Sequence, residues 1–170
     1  MAKSNALENI TSNVGEREFT LVRVFDASRK LVFKAFTEPE HISRWWAPDP
    51  FTIPVCNIDL RPGGIWHYCM ESPEGDRNWA RAVYREIVGP EKIVYTGGFS
   101  DEGANPVEGI PEHQVTVTFA EQEGKTKLTV RIQLESAKEL ESTLKMGMKE
   151  GLTECINDKL AKVLEELQIA

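Results

Sequence analysis

The residues best suited to acid–base chemistry lie on and next to an alternating segment at 64–71. His67 and Glu71 fall on one side of this predicted strand, and Arg81 lies on the next predicted strand. A histidine, a carboxylate and a guanidinium together can move a proton and hold an anionic group. However, alternate residues of a strand share one sheet face, and a mixed charged and polar set is typical of the solvated face. We therefore expect these three residues to be solvated rather than catalytic.

No other catalytic or metal-binding pattern is present. The sequence contains no nucleophile elbow, phosphate-binding glycine loop, HExxH motif or paired carboxylates. His41 and His113 have no partner at metal-ligand spacing, and we interpret them as surface or loop residues. Cys56, Cys69 and Cys155 lie far apart without a CxxC pair. We therefore expect no cofactor, no metal and reduced thiols, and an enzymatic role has no motif to support it.

The other side of the same strand carries Trp66, Tyr68 and Met70. So much aromatic surface forms either a heavy core or the wall of an apolar cavity, and the sequence leaves both alternatives open. Of the adjacent Trp45 and Trp46, we expect one to anchor a short helix and the other to face the cavity. The candidate ligand-binding residues are large apolar side chains that converge on the predicted interior, namely Trp45, Trp46, Phe51, Trp66, Tyr68, Met70, Trp79, Phe99, Met148 and Leu152.

The elements that position these residues follow a clear order. A first strand is predicted at 17–25, followed by a helix that ends at Thr37 and a second short helix that begins near Pro39. Turn residues then separate six more strands, at 52–60, 64–71, 79–88, 92–98, 112–121 and 125–136. The breaker-rich stretch 100–111 is expected to be a mobile loop.

Residues 137–167 return to helical spacing, with one apolar stripe that predicts a single long C-terminal helix. Gly147 and Gly151 lie four apart within it. Glycine in a helix interior costs roughly 1 kcal/mol relative to alanine, so this pair indicates a close approach or a kink. The order of elements predicts an α+β fold in which a curved, seven-stranded antiparallel sheet wraps around this helix, with two short helices after the first strand.

Length, charge and composition restrict the domain organisation, the partners and the location of the protein. The 170 residues fit one domain, which we place at 17–168 after a polar, disordered tail at 1–16. The net charge of -7 comes with no concentrated basic surface, so no nucleic-acid partner is expected. The sequence shows neither a signal peptide nor an apolar run long enough to enter a membrane, which predicts a cytoplasmic protein.

The chain resembles a known family at several short motifs, which are Asp26-Ala27, Ala35-Phe36-Thr37, Trp45-Trp46, Asp59-Leu60-Arg61-Pro62-Gly63-Gly64, Tyr84-Arg85-Glu86-Ile87 and Gly147-Met148-Lys149-Glu150-Gly151. It is similar to single-domain homologues of the C-terminal domain of the heat-shock protein 90 ATPase activator. This group lies within the SRPBCC or START-like superfamily, which includes polyketide cyclases. The resemblance implies the helix-grip fold, with a hollow between sheet and helix.

The resemblance indicates function only broadly, because one fold hosts many activities. It implies a small hydrophobic ligand, either lipid-like or aromatic and polyketide-like, as the partner. The alternatives are a cyclase, dehydratase or hydrolase that uses Tyr68 or Arg81 to orient a substrate, and an interaction domain that contacts a chaperone. Leu152 stands where the family often has tryptophan, which predicts an enlarged pocket or an altered entrance.

Overall fold

The computed structural model describes residues 10–169, which form one antiparallel sheet with helices against one face. Its strands are β1 (Thr11–Val14), β2 (Glu18–Phe25), β3 (Thr52–Ile58), β4 (Ile65–Glu71), β5 (Arg77–Val88), β6 (Lys92–Ser100), β7 (His113–Gln122) and β8 (Lys125–Gln133). The helices are α1 (Arg29–Thr37), α2 (Pro39–Ile42), α3 (Ala137–Lys145) and α4, which joins Met148–Glu154, a π-helical stretch Cys155–Leu160 and Ala161–Ile169.

The strand order across the sheet is β1-β2-β8-β7-β6-β5-β4-β3. Alternation along the strands gives the sheet one dry face, as a helix-covered antiparallel sheet requires. On β7, for example, Val115, Val117 and Phe119 are buried while the intervening residues are more exposed. Arg23 is the charged residue on this dry side of β2, and its Nε donates to Asn157 Oδ1 at 2.9 Å in the π-helical stretch.

The two short helices after β2 are positioned by capping and by one tryptophan. Ser28 caps α1 by accepting a hydrogen bond from the Leu31 backbone N–H at 3.2 Å. After α2, the fully buried Trp45 donates from its Nε1 to the Ala35 carbonyl at 3.0 Å and packs edge-on against Phe36. This bond fixes the segment after α2 on α1, so Trp45 is the tryptophan that anchors the helix.

Within residues 10–169 the sheet has eight strands, whereas seven were predicted. The additional strand is β1, which pairs with β2 from Thr11↔Val22 to Val14↔Phe19 and lies within the segment assigned to a polar tail. Its side chains are all exposed, so the sequence of β1 lacks the apolar alternation that reveals a strand. Backbone pairing along the edge of β2 holds it instead. The rest of the predicted tail, 1–9, lies outside the described residues.

The C-terminal helix is also interrupted, where a single helix was predicted. Gly147 adopts φ 84°, a left-handed conformation that an α-helix cannot continue through, and it separates α3 from α4. Both helices bury apolar residues against the sheet, among them Leu140 on α3 and Ile156 and Leu160 on α4. The apolar stripe was therefore predicted correctly, and the glycine pair that indicated a kink or a close approach contains a complete break at Gly147.

The α+β architecture with a C-terminal helix on one antiparallel sheet is consistent with a helix-grip fold. The connection between β6 and β7 is organised by Asp101, whose carboxylate accepts from the backbone N–H groups of Gly103 and Asn105 at 2.9 and 2.8 Å. None of the helices within residues 10–169 is long and apolar enough to cross a lipid bilayer.

Candidate functional site

A cavity of about 240 Å³ lies between the dry face of the sheet and the junction of α3 with α4. Strands β4, β5 and β6 and the first residue of β7 form one side, and Trp46 and Pro48 from the α2–β3 connection close one end. The helical side is contributed by Thr143, Met146, Gly147, Met148, Gly151 and Leu152. The break at Gly147 thus lies directly against the cavity.

The register of the strands explains why the side chains leave this space. One row of cross-strand pairs runs from β4 to β7. It consists of Trp66, Ala82, Gly97 and His113, each paired with the next. Two large side chains therefore stand at the ends of this row, with an alanine and a glycine between them. A trough results over β5 and β6, because a close-packed interior leaves space only where side chains are missing.

The neighbouring rows continue this trough toward solvent. One row further out, Ala80 pairs with Tyr68 on β4 and with Phe99 on β6, so the middle position is again small. Exposure increases along β6 from 5% at Tyr95 to 39% at Phe99. Phe99, Ile110 and Met146 are exposed apolar residues of the wall and form the mouth of the cavity.

Aromatic rings form a continuous wall on the β4 side. Trp46 Nε1 donates to the Tyr68 hydroxyl at 2.9 Å, the Trp66 and Tyr68 rings stack with centroids 4.7 Å apart, and the Trp46 and Trp66 rings meet at 5.0 Å. Burial raises the pKa of Tyr68 to about 12, and the hydrogen bond from Trp46 offsets only part of that rise. The Tyr68 hydroxyl therefore stays protonated and can still donate a hydrogen bond to a ligand.

Trp66 carries one unsatisfied polar atom in this wall. Its Nε1 is buried and has no hydrogen-bond acceptor in the described part of the chain. Burial raises the pKa of the nearby Cys56 thiol, and the Trp66 N–H offsets part of that rise although its geometry falls short of a hydrogen bond. A hydrogen bond needs both short distance and alignment, so the Trp66 N–H counts as unpaired.

His113 stands on the opposite side of the trough from Trp66. Its Nε2 lies 3.5 Å from the position that a Cβ on Gly97 would occupy, and the Tyr95 ring lies 3.3 Å from the same point. A side chain at position 97 would crowd the Tyr95 ring and would touch His113 at an ordinary contact distance. Burial lowers the pKa of His113 to about 4, so its imidazole is neutral near pH 7.

Comparisons with known proteins agree with this architecture. The family model described as "Activator of Hsp90 ATPase homolog 1-like protein" (AHSA1) matches residues 26–165. The chain belongs to this family. Comparison with curated proteins gives no match.

Solved structures extend the AHSA1-like resemblance across most of the chain. A protein from Arthrobacter aurescens is 28% identical with a TM-score of 0.83, covering 94% of this chain and 92% of its own. A Mycobacterium smegmatis protein is 27% identical with a TM-score of 0.81, covering 92% and 95%. The AHSA1 protein of Silicibacter pomeroyi is 22% identical with a TM-score of 0.68, covering 89% and 98%, which supports the shared fold alone.

Seven of the ten candidate residues line the cavity of this AHSA1-like domain, namely Trp46, Trp66, Tyr68, Met70, Phe99, Met148 and Leu152. The other three, Trp45, Phe51 and Trp79, lie outside its wall. Trp45 is fully buried and bonded to α1. Phe51 is half-buried beyond Pro48, whose carbonyl accepts from the Phe51 backbone N–H at 2.9 Å.

Trp79 was assigned to the wrong face of the sheet. It pairs with Cys69 and Ser100, which places it opposite the cavity side, where its ring stacks on His67 with centroids 4.9 Å apart. The sequence shows a tryptophan near the start of a strand without its register. Only pairing with β4 fixes which face it occupies.

His67, Glu71 and Arg81 do not form one acid–base group. Glu71 pairs with Arg77 at 2.8 Å, and His67 Nε2 lies 3.2 Å from the Asp101 carbonyl. Arg81 touches the cavity wall, but its guanidinium donates to the Ala104 carbonyl at 3.4 Å and pairs with Glu112 at 3.6 Å. The backbone register pairs Arg81 with His67, and both of its polar contacts are made outside β4.

His113 corrects the interpretation of that residue as a surface or loop histidine. It begins β7 in phase with Val115 and Val117, so its side chain shares their buried face. That two-residue period was visible in the sequence and would have indicated the inward position. The Gly97-Gly98 pair within β6 is a second signal, because glycine inside a strand often marks close approach of another group.

A separate group of possible metal ligands lies at α2. Glu38, Glu40 and His41 could each offer one ligand atom, all within 4.8 Å of one another. His41 is half-buried, and its Nε2 already lies 3.2 Å from a Glu38 carboxylate oxygen. This contact accounts for the grouping, since polar residues three apart on a helix are neighbours and commonly interact.

Proposed function

We propose that this AHSA1-like domain binds a small hydrophobic molecule in the cavity between β4–β6 and the α3–α4 junction. The observation that carries the proposal is the trough over Ala80, Ala82 and Gly97, walled by aromatic side chains and open at an apolar mouth. Small-molecule sites are typically concave and mostly apolar with a few placed polar groups. The Tyr68 hydroxyl and the His113 imidazole supply such groups here.

The size of the cavity restricts the ligand. Cavities of about 150 Å³ hold benzene, so 240 Å³ suits a molecule of roughly one to two aromatic rings or a short aliphatic chain. The body of a two-chain lipid exceeds this space. The flat Trp66 and Tyr68 rings favour a planar aromatic ligand, because stacking adds to simple burial.

The four tryptophans allow a direct test with an internal control. Trp46 and Trp66 line the cavity, whereas Trp45 and Trp79 do not. In a nitrogen–proton correlation NMR titration with naphthalene, we expect the indole N–H signals of Trp46 and Trp66 to shift in a saturable manner. The signals of Trp45 and Trp79 should move far less.

A linear aliphatic alcohol of similar volume provides the comparison between aromatic and chain-like ligands. We expect weaker but saturable shifts of the same two indole signals. Failure of both compounds to shift Trp46 or Trp66 up to their solubility limits would contradict the proposed function. Equal shifts of all four tryptophans would indicate nonspecific binding and contradict it as well.

A further inference from the structure

Within the described residues, the polar side chains of the cavity wall that form no hydrogen bond are Trp66, Asn78, Tyr95, His113 and Thr143. Of these, His113 lies across the trough from Trp66, and Thr143 lies on the helical side. The His113 imidazole makes no hydrogen bond and faces the space over Gly97. Thr143 on α3 is 7% exposed, and its hydroxyl is also unbonded. Neither side chain is among the residues whose polar atoms are fully buried and unpaired in the described part of the chain, so both polar groups remain accessible from the cavity. These two groups are therefore available to a ligand.

The other helical threonines show that Thr143 is unusual. Thr37 donates from Oγ1 to the Phe33 carbonyl at 2.9 Å, and Thr153 donates to the Lys149 carbonyl at 2.7 Å. A threonine inside a helix commonly forms this bond to the carbonyl four residues before it. Thr143 does not form it, although it lies in a helix of the same kind.

The charge of the wall limits which polar ligand can bind. Arg81 is the charged residue of the wall. Its guanidinium donates to the Ala104 carbonyl and pairs with Glu112, while its Nε has no hydrogen-bond partner in the described part of the chain. Burial keeps His113 neutral, so the cavity presents no free cation to a carboxylate. A buried carboxylate without a counter-charge is costly. A plain hydrocarbon would leave His113 and Thr143 unpaired.

We propose that the ligand is an uncharged aromatic molecule that carries a hydroxyl or carbonyl group, and that His113 and Thr143 hydrogen-bond this group. A neutral imidazole has one donor and one acceptor nitrogen, and a threonine hydroxyl can also donate or accept. Both residues can therefore pair with either oxygen group. Tyr68 and Trp66 would stack on the aromatic part across the trough. This inference rests on the proposed function and specifies the class of ligand.

Three probes of similar shape separate the classes at neutral pH. Naphthalene is a hydrocarbon, β-naphthol adds an uncharged hydroxyl, and β-naphthoate adds a carboxylate. The unmodified protein should bind β-naphthol about tenfold more tightly than naphthalene, as expected for one or two net hydrogen bonds. The affinity for β-naphthoate should be lower than for β-naphthol. Dissociation constants come from the tryptophan NMR titration or from calorimetry.

Two variants then test the named residues. His113→Leu and Thr143→Val should each reduce the preference for β-naphthol over naphthalene by about three- to tenfold while changing naphthalene affinity little. Thr153→Val is the matched control, because Thr153 lies outside the cavity and its hydroxyl is bonded within the helix. His113→Gln, which keeps a donor and an acceptor, should retain part of the preference.

The outcomes distinguish this inference from the proposed function. Equal binding of naphthalene and β-naphthol would overturn the inference and leave the proposed function intact. Tightest binding of β-naphthoate would also overturn it, since an anion would then be preferred. Binding of none of the three would contradict both proposals. A preference for β-naphthol that persists in both variants would show that His113 and Thr143 do not bind the hydroxyl group of the ligand.

Discussion

At the scale of single residues, the Tyr68 hydroxyl links two parts of the cavity wall. It lies on β4 and accepts a hydrogen bond from Trp46, which belongs to the connection after α2. The sheet and the helical segment are thereby joined by one partly buried hydrogen bond at the cavity. The sequence predicted both residues as cavity residues, but it gave no sign that they contact each other.

Tyr68→Phe should lower the free energy of unfolding by about 1 to 2 kcal/mol, because the buried Trp46 N–H would lose its acceptor. Urea unfolding monitored by tryptophan fluorescence measures the change. Tyr84→Phe is the control, since the Tyr84 hydroxyl has no hydrogen bond among residues 10–168 and its ring is also part of the core. Equal losses in the two variants would show that the Trp46 bond contributes nothing specific.

Protonation of His113 should destabilise the fold in acid. Its pKa in the folded protein is about 4, whereas the pKa of an unfolded histidine is about 6.5. Between these values the unfolded state binds more protons, so the free energy of unfolding falls as the pH drops, by about 3 kcal/mol over the whole range. Above about pH 6.5 this loss is absent.

Urea-unfolding curves across this pH range, compared between the unmodified protein and His113→Leu, isolate the contribution of His113. The difference in stability between the two proteins should shrink or reverse in favour of the variant as the pH falls toward 4. Thr143→Val alters the same cavity without removing a titrating group and should keep the normal pH dependence. Parallel curves for His113→Leu and the unmodified protein would contradict a buried neutral imidazole.

At the scale of elements, two glycines that look alike in sequence have different roles. Gly147 has φ 84° and ends the continuity of α3 with α4. Gly151 lies inside α4, where an added Cβ would meet Pro48 Cγ at an ordinary 3.6 Å. Their spacing indicated a kink or a close approach. The structure shows a break at the first glycine and an uncrowded helix position at the second.

The two alanine variants should therefore change stability in opposite directions. Gly147→Ala should cost about 1 to 2 kcal/mol, because a side chain disfavours the left-handed conformation. Gly151→Ala should gain up to about 1 kcal/mol, because alanine favours the helix and its Cβ has space. Thermal or urea unfolding of both variants provides the test. A loss in Gly151→Ala as large as that in Gly147→Ala would contradict the difference in backbone conformation.

At the scale of the whole molecule, the cavity exists because small residues from two strands meet under large ones from their neighbours. Ala80, Ala82 and Gly97 belong to β5 and β6, and Trp66 and His113 belong to the strands beside them. No single element contains the trough. It requires the correct pairing of four strands and a helical layer that does not fill the space.

Ala80→Leu should fill the trough and weaken naphthalene binding at least about tenfold, while stability changes by less than about 1.5 kcal/mol because the added atoms enter existing space. The naphthalene titration and an unfolding curve measure the two effects. Ala120→Leu on the exposed side of β7 is the control and should leave binding unchanged. Undiminished binding to Ala80→Leu would place the ligand elsewhere.

The sequence by itself determined the α+β class, most of the strands, the apolar stripe of the C-terminal helix and the aromatic content of the interior. These features are local, because apolar periodicity and turn residues act over a few positions. The same local signals failed for β1, whose exposed residues are held by backbone pairing with β2. They also could not distinguish Gly147 from Gly151.

The tertiary structure alone decided which residues face the cavity. The chain contains four tryptophans, but only Trp46 and Trp66 line the cavity. Trp45 is bonded to α1, and Trp79 lies on the opposite face of the sheet. Strand register and the contacts of neighbouring elements set these positions, and a shift of one residue reverses the face. For the same reason His113, which looked like a surface or loop residue in the sequence, became a polar group inside the hollow.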